Sequence, residues 1–352
     1  MSSSSRPVRI IEVAALAGVS PSTVSKALNG TGHLKEDTRE RVKEAADRLG
    51  FVPHAGAQSL HGGRTFTVGL LSTDNVGRFS LPVVLGAENA LLAGQISALL
   101  ATARYDPVRE QHHIRTLLSR RVDGIIVTGR TTEPRRPISA SVPTVYAFAP
   151  SEDPQDTSVI PDDREGMRQL VDHLSTVGCR RLAFVGGRTD QPTSQLRYEY
   201  AAARAHEAGL EMLDGPHLGE WSERWGRHAV DMLISEGHLD PAGPGPSARS
   251  PSHGAPPADG IIFASDQLAR GGADRLRERG LSIPGDVAIT GYDDWQVMSL
   301  AARPPLTTVD MRLETLGQRA VELLLDMLDG HGEAGQHLLS PRLITRESTL
   351  GG

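Results

Sequence analysis

The chain has 352 residues, 38% hydrophobic and 23% charged, with a formal net charge of −6, which leaves room for two or three globular domains. No apolar run approaches the roughly 20 residues of a membrane-spanning helix, so no membrane partner is expected. The single cysteine, Cys179, excludes an internal disulfide, and the opening MSSSSRPVRI lacks the apolar core of a secretory leader, so a cytoplasmic location beside the nucleoid is expected.

In chain order, Ile10–Ala17 comes first, with Ile10, Val13, Ala14 and Ala17 at helical spacing. Gly18 stops this helix. Ser20 is placed to cap a second one, with Pro21 at its first position, where a missing N–H costs nothing. That second helix runs through Thr23, Val24, Lys26, Ala27 and Leu28. Two short helices joined by a glycine-containing turn make the helix-turn-helix pattern. A third helix is predicted near 37–49, with Val42, Ala45, Ala46 and Leu49 inward. Residues 1–64 hold nine Lys+Arg and six Asp+Glu, whereas the remainder holds 28 and 37, so a basic head precedes an acidic body.

The segments AGVSPSTVSKALNG and DTRERVKEAADRLGFVPHAGAQSL closely resemble the LacI (lactose repressor)/GalR family of transcriptional regulators. The resemblance implies a major-groove reading helix, with Pro21, Ser22 and Lys26 facing bases. Ser20, Thr23, Ser25 and Asn29 would meet the DNA backbone, joined by the cation of Lys35. Hydroxyls at a helix N-terminus suit phosphate, and a lysine suits guanine O6/N7. Arg9 and Lys35 stand where relatives carry capping Ser or Thr, each substitution removing a cap worth about 1 kcal/mol. Residues 53–64 resemble the family's hinge, which implies a short minor-groove helix with Leu60 as the wedge and Ala57 at the helix pairing. On its own residues the same segment reads as a plain linker. Gly56 weakens a helix there by up to about 1 kcal/mol, so the hinge is expected to order on DNA.

From residue 65, apolar strands at 67–71, 96–101, 124–128, 144–148, 182–186, 260–265 and 287–291 alternate with amphipathic helices at 107–119, 163–177, 195–208, 225–235 and 267–279. This is the pattern of βαβ units in parallel sheets. VDGIIVTG, PDDREG, RRLAFVGG, FASDQLA, IPGDVAITGYDD and RPPLTTVDM resemble the family's periplasmic-binding-protein-like sensor, two α/β lobes around a ligand cleft. The implied lobes are 65–160 with 294–309, and 161–293 with 310–350, the chain crossing near 160, 294 and 309. The resemblance puts Asp162, Arg197, Ser265 and Asp293 in the cleft, with Asp266 capping a helix that starts at Gln267. Phe79 offers a stacking ring in the first loop, where relatives often carry an N-P-F-F-like stretch and Arg78 here adds a charge; Trp295 is placed to line the cleft or to pack in the core. Residues 240–258, rich in Pro, Gly, Ser and Ala, read as a disordered surface insertion.

The fold class implied is an all-α helix-turn-helix head plus an α/β two-lobed sensor. The function implied is a homodimeric repressor of a palindromic double-stranded DNA operator, controlled by a small-molecule effector, a sugar by resemblance. A corepressor or non-sugar ligand stays open. So does a solute-binding protein, which would need an export signal and no head. An enzyme is not expected: no lysine follows Lys43, and G-x-S-x-G, C-x-x-C and H-E-x-x-H are missing from the sequence. No cofactor or metal site is expected.

Overall fold

The computed structural model describes residues 8–28, 32–51, 64–241 and 256–351. Asn29, Gly56, Ala57, Leu60 and most of the 240–258 segment lie outside the described residues.

Three helices form the head: α1 (Ile10–Ala17), α2 (Pro21–Leu28) and α3 (Glu36–Leu49). Val13, Ala14, Ala17, Val24, Ala27, Val42, Ala45 and Ala46 bury their side chains together, while Ile10 and Leu49 pack half-buried at the rim. The residues are small, so three short helices can approach closely around one core. Gly18 and Gly50 end α1 and α3 in the left-handed conformation that only glycine adopts without cost. Neither Arg9 nor Lys35 caps its helix through its side chain. At α1 the loss is partly offset, because the Glu12 carboxylate accepts from the Arg9 N–H at 2.7 Å.

The body is built from two parallel sheets. β1 (Thr67–Ser72), α4 (Ser80–Ala93), β2 (Ser97–Thr102), α5 (Pro107–Ser119), β3 (Gly124–Thr128), β4 (Thr144–Ala147) and β5 (Thr157–Pro161) start the first lobe. α6 (Asp163–Thr176), β6 (Arg181–Gly186), α7 (Pro192–Glu207), the two-residue strands β7 (Glu211–Met212) and β8 (His217–Leu218), α8 (Glu223–Ser235), β9 (Gly260–Phe263), α9 (Asp266–Glu278) and β10 (Ala288–Thr290) make the second. The tail supplies α10 (Gln296–Ser299), β11 (Thr308–Asp310), α11 (Leu313–Leu328), β12 (Gly335–Leu339), β13 (Arg342–Ile344) and α12 (Glu347–Leu350). The first sheet runs β12-β5-β4-β3-β1-β2, and the second β10-β9-β6-β7, with β8 also on β6. All seven predicted strands and five predicted body helices are present. β1, β3 and β9 are buried along almost their whole length, as strands covered by helices on both faces must be.

The expected division of the tail is reversed. Residues 313–339 belong to the first lobe, where α11 packs on α4 and β12 pairs with β5 from Gly335–Thr157 to Leu339–Pro161. Residues 296–310 and 342–350 go with the second: α10 lies on α9, Thr290 bridges Thr307, and α12 packs on β10. The chain therefore crosses between β5 and α6, between β11 and α11, and between β12 and β13. The first two lie near the expected positions 160 and 309; the third replaces the one expected near 294. The antiparallel pair β11–β13 spans this region.

Each lobe contains a helix pair crossing on glycine. A Cβ on Gly86 of α4 would fall 1.9 Å from the Glu314 carbonyl oxygen, and one on Gly317 of α11 would fall 2.1 Å from that of Val83. Gly226 of α8 and Gly271 of α9 stand equally close to partner backbone. Backbone meets backbone at both crossings, leaving no room for a side chain.

Candidate DNA-contact face and ligand cleft

At the start of α2, the Ser20 hydroxyl accepts from the Thr23 N–H at 3.2 Å and hydrogen-bonds the Ser22 and Thr23 hydroxyls at 2.8 Å each. This cap also makes a cluster of three hydroxyls at the positive end of a helix dipole. Ser20, Pro21, Ser22, Lys26 and Lys35 are exposed, and Thr23 and Ser25 are half-buried. The buried face of α2 is Val24 and Ala27, so its polar face is directed outward. A helix whose N-terminus collects hydroxyls beside an exposed lysine can hold phosphate and present base-reading groups.

In the body, a cavity of about 370 Å³ lies between the lobes at the carboxyl ends of their strands. The first lobe contributes Arg78 and Phe79 after β1, Arg130 to Glu133 after β3, and Phe148 after β4. The second lobe contributes Arg188 and Gln191, Arg197 from α7, Trp221, Ser265 and Asp293. Of the six residues expected to bind ligand, Phe79, Arg197, Ser265 and Asp293 are brought together.

Arg197 is the centre of the second-lobe wall. It is 4% exposed; its Nη1 donates to the Ala264 carbonyl at 2.8 Å, its Nη2 to Asp163 Oδ1 at 2.9 Å, and its guanidinium lies 3.7 Å from the Tyr292 ring centre. Tyr292 in turn donates its hydroxyl to the same Asp163 oxygen at 2.7 Å. Burial alone disfavours the cation, but Asp163, Tyr292 and Asp293 outweigh it and hold Arg197 firmly protonated. Asp293, its side chain 5% exposed, stands 4.0 Å from Arg197 and 3.1 Å from Arg78. Burial pushes its carboxyl up to about 6 against the pull of those two arginines. Its backbone lies at φ +103°, a strained conformation for a residue with a Cβ, often found where a side chain is aimed at a ligand.

Asp74 shapes the first loop. Buried, it accepts from the Ser72 hydroxyl at 2.5 Å, the Val76 N–H at 2.9 Å and the Ser80 hydroxyl at 2.8 Å. The turn this fixes presents Arg78 and Phe79 to the cleft. Phe79 stacks on Phe148 with ring centres 5.3 Å apart. Arg78 lies between the Phe79 and Trp295 rings, 4.2 and 4.5 Å from their centres. Among the described residues, the Arg78–Asp293 pair and the Thr132–Thr193 hydroxyl bond at 2.9 Å join the lobes across the cavity wall, beside the contact of Arg78 with the Trp295 ring.

Three assignments need correction. Asp162 does not line the cavity, because its carboxylate is used to cap α6 through the Glu165 N–H at 3.0 Å. Its neighbour Asp163 does not line the cavity either, but holds Arg197 in its wall. Ser265, not Asp266, caps α9, accepting from the Leu268 N–H at 3.3 Å. Asp266 is wholly buried, accepting from the Trp295 N–H and the Thr308 hydroxyl at 2.6 Å each. Burial, with Asp293 nearby, pushes its carboxyl well above the usual range. Trp295 faces an adjoining cavity of about 590 Å³ with Asp310 and Arg312, separated from the first by Arg78, Phe79 and Asp293. The sequence reading also missed Trp221, whose indole donates to Gln191 and lies flat against Gly187 on the cavity wall. The GG pair of RRLAFVGG was the signal: a bare backbone surface waiting for a ring.

Comparison with known proteins agrees with this layout. Residues 9–54 match the model of bacterial regulatory proteins, lacI family. Residues 65–237 match periplasmic binding proteins and sugar binding domain of LacI family, and 171–349 match a periplasmic binding protein-like domain. The ribose operon repressor of Escherichia coli K12 is 30% identical over 345 residues, covering 96% of this chain and 98% of its own. The HTH-type transcriptional repressor PurR of Glaesserella parasuis is 29% identical, covering 95% and 94%. Among solved structures, a Lac repressor bound to ONPG in the repressed state superposes with a TM-score of 0.73 at 25% identity, covering 98% of this chain and all of its own.

Proposed function

The chain belongs to the LacI family of bacterial regulatory proteins and is a DNA-binding transcriptional regulator, not an enzyme; from that premise we propose that it is a homodimeric repressor of a palindromic operator, controlled by a small ligand held between its lobes. The observation that carries the reading is the exposed hydroxyl cluster of Ser20, Ser22 and Thr23 beside Lys26, joined in one chain to a cleft built around Arg197. Pro21, Ser22 and Lys26 are assigned to the bases. Ser20, Thr23, Ser25 and Lys35 are assigned to phosphates, and Asn29, Ala57 and Leu60 keep the roles the family resemblance gives them. Such a regulator works in the cytoplasm, at the nucleoid.

Dimerisation is supported by a leucine stripe on the first lobe. Leu81, Leu85 and Leu92 share one face of α4 and are 45%, 44% and 67% exposed, with Leu100 exposed on the sheet's edge strand β2. Apolar residues at helical spacing in water mark a surface meant to be covered, and a twofold partner gives the operator its palindrome. A cavity of this size suits a monosaccharide-sized effector, the ligand class that the ribose and ONPG names of the relatives support. Differential binding of that ligand to two lobe arrangements would set DNA affinity.

A gel-shift titration on a palindromic site tests the reading. Binding should weaken with salt at about 0.9 log units per log unit for each phosphate neutralised. Lys26→Ala should cost about 1–3 kcal/mol on the cognate site and flatten preference at one base position. Equal binding of operator and random duplex by the wild-type protein would refute sequence-specific regulation.

A further inference from the structure

Taking the cleft as a ligand site, we propose that Arg78 makes it selective for a small polar ligand bearing an oxyanion, a carboxylate or its equivalent, which the Arg78 guanidinium takes in place of Asp293. The wall of the cavity holds two arginines with donors left over. Arg78 Nη1 and Arg197 Nε are buried and have no hydrogen-bond partner among the described residues. Buried donors are nearly always paired, so two orphans on one cavity point to an acceptor that binds there. Arg78 is also held in an unusual way. The Phe79 and Trp295 rings fix its plane through its faces, leaving its edge for the planar, two-oxygen recognition at which guanidinium excels. Arg130 and Arg188 line the same cavity, so four arginines face the carboxylates of Glu133, Glu220 and Asp293.

In place of Asp293, Arg78 needs an acceptor and a negative charge, and a neutral polyol supplies only the first. An oxyanion satisfies both. Its competitor is Asp293, which faces Arg78 from the first loop, Arg197 from α7, Asp163 from α6 and Asp266 from α9. Once a ligand anion engages Arg78, Asp293 loses its nearest cation and keeps only Arg197, at 4.0 Å, against the carboxylates of Asp163 and Asp266. It then takes up a proton, and because its carboxyl already sits at about 6, the cost near that pH is small. Binding is therefore coupled to proton uptake.

The test uses the full chain with three probes: a hexuronate, its neutral parent hexose, and inorganic sulfate, at constant ionic strength. Saturable thermal stabilisation and tryptophan fluorescence, which reports Trp221 on the cavity wall and Trp295 beside Arg78, are the readouts. Hexuronate and sulfate should both saturate, the hexose binding at least about tenfold more weakly, the scale of one charge-assisted hydrogen bond. Affinity for sulfate, which does not titrate in this range, should be higher near pH 6 than near pH 8. Arg78→Gln should abolish the preference for anions, and Arg78→Lys should retain a weakened one, which keeps the test sound should Arg78→Gln not fold. An equal response of Arg78→Gln and wild type to sulfate, a hexose as effective as its acid, or no saturable response at millimolar concentrations would overturn the proposal. Operator binding in the gel shift is read separately, so a failed anion test leaves the regulator reading standing.

Discussion

Replacing Asp163 by asparagine should loosen the whole second-lobe wall. One oxygen, Asp163 Oδ1, accepts from both Arg197 Nη2 at 2.9 Å and the Tyr292 hydroxyl at 2.7 Å, and both donors are almost wholly buried. Asparagine keeps a carbonyl oxygen at that point but removes the charge. The tyrosine bond falls from about 1.5–3 kcal/mol, for a bond to a charged group, to about 0.5–1.5 for a neutral one, and the Arg197 bond keeps its charged donor but loses the ion pair, so together they lose about 2 kcal/mol. For a lobe-sized domain that lowers the unfolding midpoint by about 4–8 °C. Asp163→Ala should cost more, about 3–5 kcal/mol, because it leaves Arg197 Nη2 and the tyrosine hydroxyl without an acceptor and the buried cation without its ion-pair partner. Scanning calorimetry of the full chain at neutral pH gives the ranking directly. A second readout is independent of stability: Asp163 helps push the Asp293 carboxyl up, so in Asp163→Asn it should ionise below about 6. Equal midpoints for wild type, Asp163→Asn and Asp163→Ala would refute the idea that this carboxylate orients Arg197.

Three further outcomes follow from the same geometry. Ser265→Ala removes the cap of α9 and should cost about 0.5–2 kcal/mol in chemical denaturation, whereas Asp162→Ala should do the same at α6 without touching the cavity wall. Asp293 binds its proton more tightly folded than unfolded, so its stabilising contribution is present below the ordinary carboxyl value and is lost as pH rises from about 4 to about 6. The difference amounts to at most about 3 kcal/mol, and Asp293→Asn should remove that slope from a stability–pH profile. Gly317→Ala should destabilise by about 1–3 kcal/mol despite its better helix propensity, because its Cβ would sit 2.1 Å from the Val83 carbonyl oxygen; a rise in unfolding midpoint would contradict the crossing described.

The head was almost fully legible from its residues, because capping serine, N1 proline and αL glycine act locally and fix helix ends wherever they occur. The body's strands were legible for a similar reason, as short β-branched runs bounded by turn residues. What escaped were α4 and α11, together with the strands β5, β7, β8 and β11 to β13 and the short helices α10 and α12. The stretch SLPVVLGAENALLA is apolar on most of its circumference, since one face meets the sheet, another meets α11 and a third carries the exposed leucines. A polar face, the usual mark of a helix, is nearly missing. The destination of the tail was hidden for a topological reason: whether 313–339 returns to the first sheet depends on β12 finding the free edge of β5, a contact between residues about 180 positions apart. In the cleft, Arg197 and Asp293 were readable, but Asp162 and Asp163 were confused because neighbours at a helix start look alike in sequence. One satisfies the backbone and the other points away by about 100° of helix turn.

The two bonds that join the lobes, Arg78 to Asp293 and Thr132 to Thr193, have a consequence for time as well as affinity. Both partners of each bond line the cavity, so this arrangement of the lobes is held by its own side chains. A ligand that displaces one of these bonds, as an anion at Arg78 must displace Asp293, lodges only as fast as the bond opens. The observed association rate then levels off with rising concentration at the rate of spontaneous opening. How quickly the regulator responds is thereby fixed by the protein's own clock, and abundance of the signal decides only how often an opening is used.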